Sequence, residues 1–207
     1  MRVMKEYSYK IFSSKNGEEL CEALFLFQQN SSIEHLQSGR VDVMLNYDDL
    51  NISFGSKQNK KLPCMTWEKD NRGPYFSTRI EDFILPPCLR GEGIGLFIWS
   101  EIKSNLPTAV GANLRISGTL TSVDAEVPLL DKRRRFVYDS ISPIKEVKTI
   151  NNIERRNSFW RKLLEQGPDG EPISFQCDAN GVGAFSGWLK DPSLDMNNQR
   201  PMVIRIA

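Results

Sequence analysis

The sequence predicts an α+β protein: a mixed, mainly antiparallel central sheet flanked by helices, with a C-terminal β extension. Three observations predict it. Short runs with apolar side chains at strand spacing recur at residues 7–12, 41–45, 50–55 and 113–123. Helix-forming stretches with an apolar stripe occupy residues 18–29 and 151–166. Between them, residues 79–107 read as a strand, a glycine-rich turn and a helix in direct succession.

In chain order, Tyr7, Tyr9 and Ile11 alternate with Ser8, Lys10 and Phe12 in a first strand, and Asn16-Gly17 makes a turn. EELCEALFLFQQ, residues 18–29, is expected to be helical. Residues 41–45 and 50–55, separated by an Asp48-Asp49 turn, are expected to be neighbouring antiparallel strands. Residues 56–74 hold Lys57, Lys60 and Lys61 and end in Asn-Arg-Gly-Pro, so they read as a long solvated connection with one short strand at 64–67.

The strand at 79–85 stops at Pro86-Pro87. A helix then follows from Ile94, with Phe97, Ile98, Ile102 and Leu106 on its apolar stripe. Gly118 interrupts the strand at 113–123, which suggests a bulge or a close backbone approach by a ligand. Lys132-Arg133-Arg134-Arg135 is a basic run that suits either a solvated face or phosphate groups. The helix at 151–166 is capped by Asn151 or Asn152 and ended by Gly167-Pro168, with Ile153, Ser158 or Phe159, Leu163 and Leu164 facing inward. Strands at 172–177, 184–189 and 202–206 complete the chain, giving a main domain at 1–170 and a β-rich extension at 171–207 packed on it.

The composition, 40% hydrophobic and 26% charged, suffices for a sizeable core. Lys plus Arg number 27 against 26 Asp plus Glu, so a nucleic-acid partner would have to be held by a local patch. The residues MRVMKEYSYKIFSS carry no long apolar run, and no segment reaches the ~18 apolar residues of a membrane helix, so a soluble cytoplasmic protein without a membrane partner is expected. Cys21, Cys64, Cys88 and Cys177 form no Cys-x-x-Cys pair and His35 is the single histidine, which excludes most zinc sites and any triad needing a second histidine. Buried free thiols are expected, Cys88 beside the glycine turn being the alternative reactive one.

Chemistry is concentrated at Gly91, Gly93 and Gly95. A turn of this kind ahead of a helix aims backbone N–H groups and the positive end of the helix dipole at one point, which suits a phosphate. The glycine spacing differs from the Gly-x-Gly-x-x-Gly of dinucleotide folds, and the Gly-Lys-Ser/Thr of nucleoside-triphosphate loops is absent.

Arg90-Gly91-Glu92-Gly93-Ile94-Gly95 at a strand–helix junction, followed by 118–124 and 155–163, resembles the GNAT acyltransferase superfamily and its Arg/Gln-x-x-Gly-x-Gly/Ala motif. The resemblance implies a GNAT-like fold and an acyl-CoA-dependent N-acyltransferase, with acetyl-CoA or another acyl-CoA as cofactor and an amine as acceptor. It places the coenzyme on Leu85, Arg90, Gly91, Glu92, Gly93, Ile94 and Gly95, with Trp160 packing nearby. Glu81 is the implied general base. The family's acid is commonly a tyrosine in a Phe-Tyr pair, and here Phe159-Trp160 stands in its place, which leaves Tyr138 as a remote candidate. Pro86 and Pro87 offer no N–H to a thioester carbonyl. The alternative is a GNAT-like protein without catalysis that binds nucleic acid or a protein partner, using Arg133, Arg134, Arg135, Arg155 and Arg156 as a basic rim.

Overall fold

The computed structural model describes residues 2–14, 16–31, 36–48, 57–69, 76–80, 83, 85–86, 89–107, 114–120, 142–190 and 201–206. Its elements, in order, are β1 (Arg2–Phe12), β2 (Glu19–Ser31), β3 (Leu36–Asp48), β4 (Lys57–Lys69), β5 (Phe76–Ile80), α1 (Ile94–Asn105), β6 (Leu114–Leu120), α2 (Ser142–Leu163), β7 (Leu164–Glu165), β8 (Ser174–Cys177), β9 (Gly183–Leu189) and β10 (Met202–Arg205). All ten strands join one sheet in the order β10-β1-β2-β3-β4-β5-β6-β9-β7, with β8 also on β9. Only β5 and β6 run parallel; the other described pairings are antiparallel. The expected helix-flanked α+β arrangement is therefore overturned, because the protein is mostly β and its described residues hold two helices.

The largest single correction lies at residues 18–29, which form β2 rather than a helix. Leu, Ala and Glu favour helix by a few tenths of a kcal/mol each, roughly, whereas pairing on both sides fixes an extended chain. β2 pairs with β1 along Arg2↔Asn30 to Phe12↔Glu19 and with β3 along Glu22↔Asn46 to Ser31↔Leu36. Cys21, Ala23, Phe25, Phe27 and Gln29 are buried while the residues between them are half-buried, a period of two that no helix produces.

Residues 57–69 make a second correction. The expected polar connection is a thirteen-residue strand, β4. Lys61 stands on the water-facing side, where it and Arg40 both reach the buried carboxylate of Asp42, at 3.2 and 3.0 Å. Met65 and Trp67 point into the core. A register shift between Val41 and Asp42 reconciles the two patterns.

Helix α1 lies on the inner face of the sheet, burying Ile94, Gly95, Phe97, Ile98, Trp99 and Ile102. Phe97 stands edge-on to Tyr9 at 5.4 Å and to Phe25 at 6.0 Å between ring centroids. The Tyr9 hydroxyl donates to Glu101 Oε2 at 2.6 Å, tying β1 to the helix. Burial first, and then that bond to a carboxylate, holds the Tyr9 phenol well above its ordinary range.

The predicted helix at 151–166 begins earlier, at Ser142, and ends at Leu163, after which Leu164 and Glu165 pair with β9. Gly118 also departs from expectation: it admits the ring of Phe185, its cross-strand partner, because a Cβ there would lie 2.7 Å from that ring. A side chain, not a ligand, makes the close approach. The strand expected at 50–55 lies outside the described residues. Cys21 and Cys64 are buried free thiols and Cys177 is half-buried; Cys88 is outside the described residues. No helix among the described residues is long and apolar enough to cross a membrane.

Candidate functional site

The parallel pair β5 and β6 requires a crossover, and the glycine turn with α1 supplies it. The turn is closed by the Leu89 N–H donating to the Pro86 carbonyl at 3.0 Å. Gly91 and Gly93 follow at φ of 79° and 76°, the left-handed region that glycine enters without a steric cost, and Gly93 is the residue from which α1 starts. No side chain caps the helix, so the donors of its first turn are not taken up by a capping residue.

Helix α2 passes over this turn. Residues 155, 158, 159 and 162 fall on one stripe of it, at spacings of three and four. With Gly91, Gly93, Ile94, Gly95 and Leu96 they enclose a cleft of about 260 Å3. Its floor is apolar, made by Phe83, Leu85, Leu89, Phe159 and Trp160, and its cations are Arg90, Arg155, Arg156 and Lys162. Under the floor lies an aromatic cluster in which Phe83 stacks on Phe159 at 5.8 Å and Trp160 stacks on Phe185 at 4.5 Å. Trp99 joins the cluster fully buried, and its indole N–H has no hydrogen-bond partner.

Leu85, Arg90, Gly91, Gly93, Ile94, Gly95 and Trp160 all border this one cleft, whereas Glu92 does not. Glu92 is buried on the other side of the turn and accepts a hydrogen bond from the Ser13 hydroxyl at 3.0 Å. It anchors the turn to the β1–β2 connection.

Several of the converging residues do something other than expected. Arg90 Nε donates to the Leu85 carbonyl at 2.8 Å, stapling the base of the turn. Gly95 makes room for Phe159, whose ring would lie 2.9 Å from a Cβ at that position, so this glycine serves helix packing. Trp160 is 6% exposed and belongs mainly to the core. Arg156 is buried too: its guanidinium donates to Asn157 Oδ1 at 3.0 Å and to the Gly181 carbonyl at 2.7 Å, which removes it from any surface rim. Arg155 and Lys162 are the exposed cations of the cleft.

Ser158 and Lys162 were missing from the sequence-derived site, although their spacing from Arg155 carried the signal. Glu81, Tyr138, Arg133, Arg134 and Arg135 lie outside the described residues.

A wider hollow of about 1230 Å3 covers the opposite, water-facing side of the sheet. One cross-strand row runs over it, Gln28–Arg40–Thr66–Arg79–Ser117–Ser186, contributing hydroxyl, amide and guanidinium groups, while Glu68 adds a carboxylate and Trp67, Ile80 and Phe185 add apolar surface. This is the solvated face usual for an antiparallel sheet, and neither glycine turn nor helix terminus borders it.

No protein-family model, curated protein or solved structure matches this chain.

Proposed function

We propose that the protein binds an acyl-coenzyme A, acetyl-CoA being the simplest, in the cleft between the glycine turn and α2, and transfers the acyl group to an amine. The observation that carries this reading is the meeting of a glycine turn, the first turn of a helix and two exposed cations over an apolar floor. Those features suit a ligand with phosphates at one end and an apolar arm at the other.

When bound, the coenzyme supplies a thioester carbonyl open to attack by an amine. The backbone at Gly91 and Gly93 permits close approach of a phosphate, and the first-turn N–H groups of α1 add the positive end of its dipole. Arg155 and Lys162 contribute charge, while Phe83, Leu85, Leu89 and Phe159 offer the apolar arm a dry wall. A cleft of about 260 Å3 holds the diphosphate and the start of that arm, not the whole molecule. Glu81 stays the proposed base and Tyr138 the proposed acid.

A second reading keeps the cleft and drops the transfer, the protein acting by binding nucleic acid or a protein partner. It is favoured by the lining, where the described residues include no carboxylate, imidazole or phenol and so serve to bind rather than to move protons.

Calorimetry and thermal shift with acetyl-CoA test the shared premise. At ligand concentrations about a hundredfold above Kd the expected stabilisation is about 2.7 kcal/mol. An Arg155→Glu, Lys162→Glu double variant should abolish it. Absence of any shift in the wild type at millimolar acetyl-CoA would sink the acyl-coenzyme reading. Release of free thiol on mixing acetyl-CoA with a panel of amines then separates transfer from binding alone.

A further inference from the structure

The water-facing side of the sheet is not uniform. Toward β1 and β2 it carries long charged side chains paired with one another, as where Lys10 meets Glu19 at 3.2 Å and Glu22 at 3.5 Å. Over the hollow of about 1230 Å3 the same side is lined instead by short hydroxyl and amide side chains, among them Thr66, Ser77, Thr119, Gln176 and Ser186. Each of these groups both donates and accepts hydrogen bonds. Two charged groups stand open among them. Arg79, in the cross-strand row between Thr66 and Ser117, is exposed and engages no hydrogen bond or ion pair among the described residues. Glu68, the cross-strand partner of Ser77, is likewise exposed and uncommitted. The other cation of the hollow, Arg40, is tied through Nε to Asp42 Oδ1 at 3.0 Å.

Size points to an extended occupant. Small-molecule pockets measure roughly 300–1,000 Å3, and this hollow exceeds that range. Its row from Gln28 to Ser186 runs across β2, β3, β4, β5, β6 and β9, about 24 Å at the usual spacing of strands. A polyhydroxylated chain matches the lining: its hydroxyls pair with the hydroxyl and amide side chains and donate to the Glu68 carboxylate, which only accepts. The open fork of Arg79 calls for an anionic group on that chain, a carboxylate or a sulfate held by two parallel N–H groups. Single-stranded nucleic acid fits less well, since it needs stacking rings and a run of cations. Here Trp67 and Phe185 are only 2% and 3% exposed and present no ring face, and Arg79 is the one uncommitted cation among the described lining residues. We infer that the hollow is a binding site, separate from the cleft at the glycine turn, for an acidic oligosaccharide.

The test is calorimetric titration of the full chain, to millimolar ligand, with hexagalacturonate, with its uncharged methyl ester, with a heparin hexasaccharide and with an oligothymidylate. At least one of the two acidic saccharides is expected to bind, and which of them does distinguishes carboxylate from sulfate recognition. An uncharged counterpart, the methyl ester or a desulfated heparin hexasaccharide, should bind about tenfold more weakly, the worth of one charge-assisted contact. Arg79→Ala should erase that ratio, whereas a Thr66→Val, Ser186→Ala double variant should weaken charged and uncharged forms alike by about fivefold. All three positions lie on the water-facing side, and circular dichroism verifies the fold. Equal binding of the charged and uncharged forms overturns the proposal, as does saccharide binding that neither variant alters. Oligothymidylate binding tighter than either saccharide and lost in Arg79→Ala assigns the hollow to nucleic acid and overturns it too. Absence of binding by both acidic saccharides also overturns it, and none of these outcomes bears on the coenzyme reading of the cleft.

Discussion

Gly95 shows how a single residue can carry a motif for a reason other than the motif's usual one. A methyl group there would lie 2.9 Å from Phe159 and 3.3 Å from Leu85. The Phe159 ring is itself held by Phe83 at 5.8 Å and Trp160 at 5.0 Å, so it has little room to yield. In an exposed helix Gly→Ala gains about 1 kcal/mol. Here overpacking of about 1–3 kcal/mol should outweigh that gain. Gly95→Ala is thus expected to lower the urea midpoint, and a raised midpoint would show that α2 does not press on this turn as described. Tyr9 offers a prediction in pH. Its folded pKa lies above the unfolded value near 10.0, so the contribution of the neutral phenol is complete below about pH 10 and is lost as pH rises toward the folded value. Tyr9→Phe should cost about 2 kcal/mol at neutral pH through the missing bond to Glu101, and its stability should fall less steeply than the wild type's above pH 10. Unfolding midpoints measured from pH 7 to 11 on both proteins decide it. At this scale the glycines were legible in the sequence, since positive φ at Gly91 and Gly93 leaves a clear residue signature. The separate duties of Gly95, Glu92 and Arg90 were not, because each depends on a partner far away in sequence or on the path of the turn.

Helix α2 is docked by its aromatic pair, with Trp160 stacked on Phe185 and Phe159 seated on Gly95. Trp160→Ala should therefore cost about 3–5 kcal/mol, the loss of a buried aromatic, and weaken ligand binding only as the cleft wall moves. Urea unfolding of that variant beside a coenzyme titration separates the two effects. A stable variant with selectively lost binding would make Trp160 a ligand contact instead of a packing residue. The same dependence on partners explains which elements the sequence disclosed. Helix α1 was legible because its apolar stripe follows a proline stop and a glycine turn, both local signals. Strand β2 was not, since Glu22, Ala23 and Leu24 favour helix locally and are overruled by β1 and β3 on either side. Strand β4 failed for the opposite reason: its run of lysines and polar residues looks like a loop until Leu62, Met65 and Trp67 are seen to be buried in the core. The crossover that builds the cleft could be read from local chemistry, whereas the long meander beneath it could not.

Across the whole molecule, the last forty residues are structurally divided. Strand β10 adds to the free side of β1 at one end of the sheet, whereas β9 enters near the other end, between β6 and β7. The pairing of β9 with β6 runs from Arg115↔Trp188 to Leu120↔Gly183, and among the described pairings β7 and β8 have only β9 as a partner. β9 also supplies Phe185, on which Trp160 and hence α2 rest. A chain cut after residue 170 would leave β6 as an edge, expose the Trp160 ring and free the strand that follows α2. The expected outcome is a 1–170 fragment that lacks a cooperative urea transition, because the apolar surface exposed belongs to the same core as α1. Removing residues 201–207 takes away the short ladder from Tyr9↔Arg205 to Phe12↔Met202, the Ile206 N–H bond to the Ser8 carbonyl and the Arg205 contact with the Tyr7 ring, all at the edge of the sheet, so that protein should stay folded with a lowered midpoint. Paired urea melts of the two truncations, read by circular dichroism and tryptophan fluorescence, test the contrast. A sharp, wild-type-like transition for the 1–170 fragment would mean that the sheet closes without β9 and that residues 171–207 are an appendage to a core already complete.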